Sequence, residues 1–175
     1  MVIAKVDAEA ENARATAQDQ GITGYPTIKF FPKGSKEATP YSGGRSEEAF
    51  IDFLNEKTGT NRAAGGGLNA NAGKIANLDD VVSKHVSAHD FQALVADAKK
   101  AAKGLKDKYA EYYVKVAEKI SKNEDYASKE LGRLEKILKK GGSAPEKVDD
   151  VVSRSNILRQ FVGEDKETSG HGDEL

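Results

Sequence analysis

From residue 78 onward the apolar residues recur at three- and four-residue spacing almost without a break. Phe91, Leu94, Val95, Ala98, Ala102 and Leu105 fall on one face, and so do Tyr109, Tyr112, Tyr113, Val116 and Ile120. Ala127, Leu131, Leu134 and Leu138 form a third set. Val148, Val151, Val152, Ser155 and Leu158 form a fourth, with Ile157 and Phe161 beside it. Each stripe is the core face of an amphipathic helix. A shorter helix is expected over residues 78–86. Asn123 is placed to cap one helix and Gly141-Gly142 to end it, and Ser143-Ala144-Pro145-Glu146 has the form of a capping box opening the next. Short connections between four or five such helices predict a compact antiparallel bundle over residues 78–162.

Upstream the period is different. Residues 2–6 are short, apolar and β-branched and read as a strand, and residues 12–20 as an Ala/Gln-rich helix stopped by Gly21. Residues 27–31 read as a second strand, Pro32-Lys33-Gly34-Ser35 as a turn, and residues 38–42 as a weaker strand. Ser46 is a candidate N-cap, with Glu47 and Glu48 in the first helical turn. Phe50, Ile51, Phe53 and Leu54 then form a stripe that ends at Gly59. Residues 59–77, rich in Gly, Asn and Ala and including Gly65-Gly66-Gly67, have no periodicity and read as a linker. The acidic, aperiodic residues 163–175 read as a disordered tail. The fold expectation is therefore α+β overall. It consists of a partial α/β segment at residues 1–58, a linker at 59–77, an all-α bundle of about five helices at 78–162, and a tail.

Charge and composition exclude several functions. With 27 basic against 28 acidic residues the chain lacks the basic excess of a nucleic-acid binder. It contains no cysteine, which removes disulfides, thiolate metal sites and thiol catalysis from these residues together. No apolar run approaches the ~20 residues of a membrane span. Met1 stands inside a strand pattern with no basic-then-apolar leader, so a truncated start is expected. His85 and His89 are four apart, but no third ligand accompanies them, and structural or surface roles are expected. Gly65-Gly66-Gly67 is not followed by Lys-Ser/Thr and is no phosphate loop. Neither metal nor cofactor is expected. Tyr109, Tyr112 and Tyr113 read as core residues with hydroxyls at the rim, the alternative being a peptide-contacting patch.

Two groups of motifs carry a resemblance. The first is the loop Gly21-Ile22-Thr23-Gly24-Tyr25-Pro26-Thr27 and the strand Ile28-Lys29-Phe30-Phe31. Ala4-Lys5-Val6-Asp7-Ala8 stands before them and Tyr41-Ser42-Gly43-Gly44-Arg45 after. Together these resemble the second half of a thioredoxin domain of the protein disulfide-isomerase type, without the half that carries Cys-x-x-Cys. The second group is Ala110-Glu111-Tyr112-Tyr113-Val114-Lys115-Val116, Lys129-Glu130-Leu131-Gly132-Arg133-Leu134-Glu135-Lys136-Ile137-Leu138 and Asn156-Ile157-Leu158-Arg159-Gln160-Phe161. These resemble the helical D domain that follows such domains in the PDI-D subfamily.

The resemblance implies roles for individual residues. Tyr25, Pro26 and Thr27 would be the substrate loop with the family's cis-proline. Lys5 would be the lysine that pairs with a buried glutamate, and Arg45 the arginine that tunes the thiolate. As residues alone they read as a turn proline, a solvated strand lysine and a surface arginine before a helix. The strand that leads into Cys-x-x-Cys would lie between residues 2–6 and 27–31, so its absence leaves backbone unpaired and exposes Phe30, Phe31, Phe50 and Phe53. Gly172, Asp173, Glu174 and Leu175 resemble an endoplasmic-reticulum retrieval signal, with Gly172 in place of the usual Lys or His.

The implied function is that of a disulfide isomerase in oxidative folding in the endoplasmic-reticulum lumen. The present residues are expected to be inactive in thiol–disulfide exchange. The alternative is a non-catalytic module binding clients or a partner through its helical domain. Expected partners are unfolded or folding secretory proteins and the retrieval receptor, with no nucleic acid and no membrane span.

Overall fold

The computed structural model describes residues 2–163; residues 172–175, read above as a retrieval signal, lie outside the described residues. The chain divides into two compact units, Met1–Phe53 and Leu54–Leu175.

In the first unit a 3₁₀ turn at Glu11–Ala13 leads into helix α1 (Arg14–Asp19). Strands β1 (Lys29–Phe30) and β2 (Thr39–Pro40) pair antiparallel, with Lys29 opposite Pro40 and Phe30 opposite Thr39. Helix α2 (Glu47–Thr58) starts after Ser46, whose Oγ accepts the Ala49 N–H at 3.2 Å. This is the expected cap, and it satisfies one of the free amides of the first turn. Phe53 meets Phe30 edge-on at 5.7 Å and Tyr41 at 4.8 Å, while Tyr41 lies 5.0 Å from Phe50. None of the described residues of this unit is buried. Phe30, Phe50 and Phe53 are half-buried, and Phe31 is 48% exposed.

Here the structure corrects the expected strand at residues 2–6. The segment forms no strand, and Val2 and Ile3 are 92% and 85% exposed. The physical reason is the lack of a neighbour, because β-branched side chains favour a pleated surface only when another strand provides one. The strands expected at 27–31 and 38–42 are likewise cut to two residues each.

The second unit contains the five expected helices: α3 (Ala76–Ser87), α4 (Phe91–Ala102), α5 (Lys108–Ile120), α6 (Tyr126–Lys140) and α7 (Pro145–Val162). Each packs on the next, and α7 returns to pack on α3 and α5. The core holds Leu78 and Val82 from α3, Leu94 and Ala98 from α4, Tyr113, Val116 and Ile120 from α5, Leu131 and Leu134 from α6, and Ile157, Leu158 and Phe161 from α7. At about 1.5–3 kcal/mol for each large apolar side chain, this burial is the main force holding the unit together. Asp90 and Asp107 cap α4 and α5 by accepting the N–H groups of Ala93 at 3.0 Å and Tyr109 at 2.8 Å. Gly163, with φ 74°, ends α7 in the left-handed conformation.

Three details differ from expectation. Leu105 lies beyond α4 and is 43% exposed, because the helix stops at Ala102. Ser143 does not cap α7; the helix opens at Pro145 after Ala144, which makes no side-chain cap bond. Proline is suited to that first position, where its missing N–H costs nothing. Asn123 caps a turn rather than the helix itself, its Oδ1 accepting the Asp125 N–H at 3.2 Å.

The Gly/Asn/Ala-rich stretch is not loose. Arg62 pairs with Leu68 in an isolated β-bridge and grips the Asp149 carboxylate through both terminal nitrogens, at 3.2 and 2.8 Å. Ala72 is buried, and Gly73 lies against Ser153 of α7.

Candidate functional site

The loop between α1 and β1 is built by local contacts. Gly21, with φ 61°, turns the chain out of α1, and the Ile22 N–H closes on the Ala17 carbonyl at 2.9 Å. The Lys29 ammonium donates to the Gln20 carbonyl, tying the start of β1 to the end of α1. Between these ties the Tyr25–Pro26 peptide is cis, and the Thr27 hydroxyl donates to the Gly24 carbonyl at 2.7 Å. Tyr25 is 62% exposed, and Pro26 and Thr27 are also open to solvent. The loop thus presents an aromatic ring and a short stretch of main chain.

Lys5 and Arg45 are both exposed. Among the described residues no hydrogen bond or ion pair joins either of them to the loop or to the other. Lys5 lies in the unpaired extended segment and Arg45 just before α2.

Among the described residues of the helical unit, four polar groupings that involve buried or half-buried side chains stand out. Tyr113 is fully buried, and its hydroxyl donates to the Asp79 carboxylate while accepting the Ile75 N–H at 3.4 Å. Burial, helped by the bond to Asp79, pushes its pKa far above the ordinary phenol value. Tyr113 thus stands as a buried donor to Asp79. His85 is buried on α3 and meets the Asp97 carboxylate of α4 at 2.8 Å. The hydrogen bond to His85 holds the Asp97 carboxyl below the usual carboxylate range. His89 lies past the end of α3 in a turn, so the two histidines do not share a helical face.

The third place is the Asn156 amide, which donates to the Asn69 and Ala72 carbonyls at 3.0 and 3.1 Å. Its own Oδ1 accepts from Arg159 at 3.1 Å.

The fourth is Asp150, which accepts from Lys108 Nζ at 2.9 Å and the Tyr109 hydroxyl at 3.4 Å and forms an ion pair with Arg154, whose Nε lies 2.8 Å away without hydrogen-bond geometry. Burial works to raise the Asp150 pKa, but Lys108 and Arg154 together hold it below the carboxylate range. Arg154 also lies over the Tyr112 ring, 5.1 Å from its centroid. The Tyr112 hydroxyl is buried with no partner among the described residues, and burial pushes its pKa up. Of the three tyrosines singled out in the sequence, Tyr112 and Tyr113 are buried and Tyr109 is half-buried.

Sequence reasoning missed Asp79, Asp97 and Asn156. The two aspartates look like ordinary surface charges, but Asn156 left a signal as a polar residue inside the apolar run of α7. Among the described residues no group of three His, Asp or Glu stands ready for a metal ion. The chain contains no thiol, and burial pushes the pKa of the Tyr112 and Tyr113 phenols up.

Comparison with known proteins follows the same division. Residues 73–161 match the family described as endoplasmic reticulum protein ERp29, C-terminal domain, and residues 1–56 match the thioredoxin family. The chain is 70% identical over 167 residues to protein disulfide-isomerase tigA of Aspergillus niger, covering 95% of this chain and 45% of that protein. It is 51% identical over 166 residues to protein disulfide-isomerase erp38 of Neurospora crassa, covering 93% and 45%. Identity to a probable protein disulfide-isomerase A6 of Medicago sativa is 39% over 168 residues, again covering 93% and 45%. The chain thus spans under half the length of these relatives.

Proposed function

Because the chain belongs to the protein disulfide-isomerase family, in the branch with an ERp29-type helical domain, we propose that these residues serve oxidative protein folding in the endoplasmic-reticulum lumen by holding client chains, not by exchanging disulfides. One observation carries this reading: a closed helical unit and an exposed Tyr25-Pro26-Thr27 loop coexist with a complete lack of cysteine. Exchange needs an attacking thiolate, so any such chemistry in the family must come from residues other than these 175.

In this reading Tyr25 offers an aromatic surface, and the main chain around Pro26 offers hydrogen-bonding groups to an extended client. Lys5 and Arg45, which the resemblance assigns to thiol chemistry, act here as solvated charges. The helical unit is the second client- or partner-binding surface. The Gly172-Asp173-Glu174-Leu175 end, outside the described residues, would be read by a retrieval receptor.

Reduction and aggregation of insulin test the reading with the full chain. Turbidity of the released insulin chains should fall with rising chain concentration, while the rate of disulfide reduction by added dithiothreitol stays at its uncatalysed value. A faster reduction, or undiminished turbidity at a tenfold molar excess, would overturn it.

A further inference from the structure

Two phenols and two guanidiniums gather in the helical unit: Tyr112 from α5, Tyr126 and Arg133 from α6, and Arg154 from α7. The charges of Glu130, Arg133 and Arg154 act on both phenols, so the five side chains share one small region. Glu130 accepts from the Nε and one terminal nitrogen of Arg133, at 2.8 and 2.7 Å. The other terminal nitrogen of Arg133 and both terminal nitrogens of Arg154 meet no acceptor among the described residues. Tyr112 is only 9% exposed, and its hydroxyl is closed off without a partner. The buried Nε of Arg154 makes no hydrogen bond either. A native fold rarely leaves such groups bare, and each one calls for an explanation. All of them can donate, and a guanidinium fork matches the two oxygens of a carboxylate. The balance of charge favours an anion as well. Arg133, Arg154 and Lys115 act on Glu130, and Lys108 and Arg154 on Asp150, so four cations stand against two carboxylates.

We propose that Tyr112, Arg133 and Arg154 form a binding site for one carboxylate of a client polypeptide, either an acidic side chain or a chain end; this rests on the client-holding reading above. The free terminal nitrogens of the two arginines take the carboxylate oxygens. Arg154, which lies over the Tyr112 ring and is 43% exposed, turns outward to meet the ligand. The uncovered Tyr112 hydroxyl then donates to the same carboxylate and gains the partner that the unbound unit does not give it. Asp150 can release Arg154, because Lys108 Nζ and the Tyr109 hydroxyl still hold that carboxylate, at 2.9 and 3.4 Å.

Titration of the full chain with two short peptides, followed by backbone and tyrosine-ring chemical shifts, tests this. Acetyl-Ala-Asp-Ala-amide carries a side-chain carboxylate, and acetyl-Ala-Ala-Ala ends in a free one. At least one should shift the signals of Tyr112, Tyr126 and Arg154 saturably, and the one that does identifies the source of the carboxylate. Acetyl-Ala-Asn-Ala-amide should bind roughly tenfold more weakly than the Asp peptide, or not at all. Tyr112→Phe removes a hydroxyl that no described residue uses, and should lower the affinity about fivefold, the worth of one hydrogen bond. Arg154→Met should lower it by roughly tenfold or more, with the circular dichroism unchanged. Neither carboxylate peptide binding, the Asn peptide binding as well as the Asp peptide, or an affinity unaltered in both variants would overturn the proposal. Insulin turbidity keeps the two readings apart. A chain that suppresses turbidity but binds neither peptide loses this site alone, and one that binds a peptide but leaves turbidity undiminished loses the client-holding reading alone.

Discussion

The side-chain amide of Asn156 donates at 3.1 Å to the main-chain carbonyl of Ala72, a residue 84 positions earlier in the chain. With its second bond, to the Asn69 carbonyl, this amide holds residues 69–72 onto α7. Asn156→Ala should leave both carbonyls without that donor and cost about 2 kcal/mol, from two net hydrogen bonds of about 1 kcal/mol each. In urea the midpoint should fall at unchanged slope. An unaltered midpoint would mean that water replaces the amide without loss.

Gly73 should tolerate no side chain. Its φ of 81° lies where glycine alone is comfortable, and a Cβ placed there would stand 2.7 Å from the Ser153 Cβ. Gly73→Ala is expected to cost on the order of 1–3 kcal/mol. Adding Ser153→Gly should recover part of this by removing the closest contact, while the Ser153 carbonyl oxygen and Cα, at 3.0 and 3.1 Å, and the backbone strain remain. Thermal melts of the two single variants and the double variant check this; additive losses would show that the approach to α7 does not matter.

The helical core was legible because packing there obeys a local period. Leu94 and Ala98, or Leu131 and Leu134, are buried at the positions their spacing assigns. Residues 69–75 were not legible, because what orders them is Asn156 and Ser153, more than 75 places away, and no local pattern records that. The same reason hid Asp79 and Asp97, whose partners Tyr113 and His85 stand on other helices. Residues 2–6 misled in the opposite direction, since β-branched composition states a preference for a sheet without supplying one. The Tyr25-Pro26-Thr27 loop was legible as a motif, and it lies exposed in the structure.

The Asp97 carboxyl gives the helical unit an acid sensitivity of definite sign. Its folded pKa lies below the unfolded value because of the hydrogen bond to His85, so its contribution is present above the unfolded pKa, about 3.9. That contribution is lost as pH falls through the lower, folded value. Asp97→Asn should therefore flatten the fall in melting temperature between about pH 5 and pH 3. If the wild-type and variant curves run parallel over that range, the pair does not contribute.

Two neighbouring tyrosines should respond oppositely to loss of a hydroxyl. Tyr113→Phe removes a buried hydrogen bond to Asp79 and an acceptor for the Ile75 N–H, and should cost about 1–2 kcal/mol. Tyr112→Phe removes a buried hydroxyl that has no partner, and should be neutral or stabilising by up to about 1 kcal/mol. Denaturant titration of both variants measures the contrast, and equal losses would contradict it.

Stability should also differ between the two units. Hydrogen exchange protection tracks the local free energy of opening, which depends on buried apolar contacts. The described residues of the first unit include none that is buried, whereas the second holds a core contributed by all five helices. In micromolar solution, amides of residues 2–53 should exchange orders of magnitude faster than those of α5 and α7. Peptide-resolved exchange mass spectrometry would show this directly, and protease should remove the first unit while the helices resist. Protection in β1 and α1 matching that of Val116 or Leu158 would mean that the aromatic cluster of Phe30, Tyr41, Phe50 and Phe53 is enough to hold the unit closed.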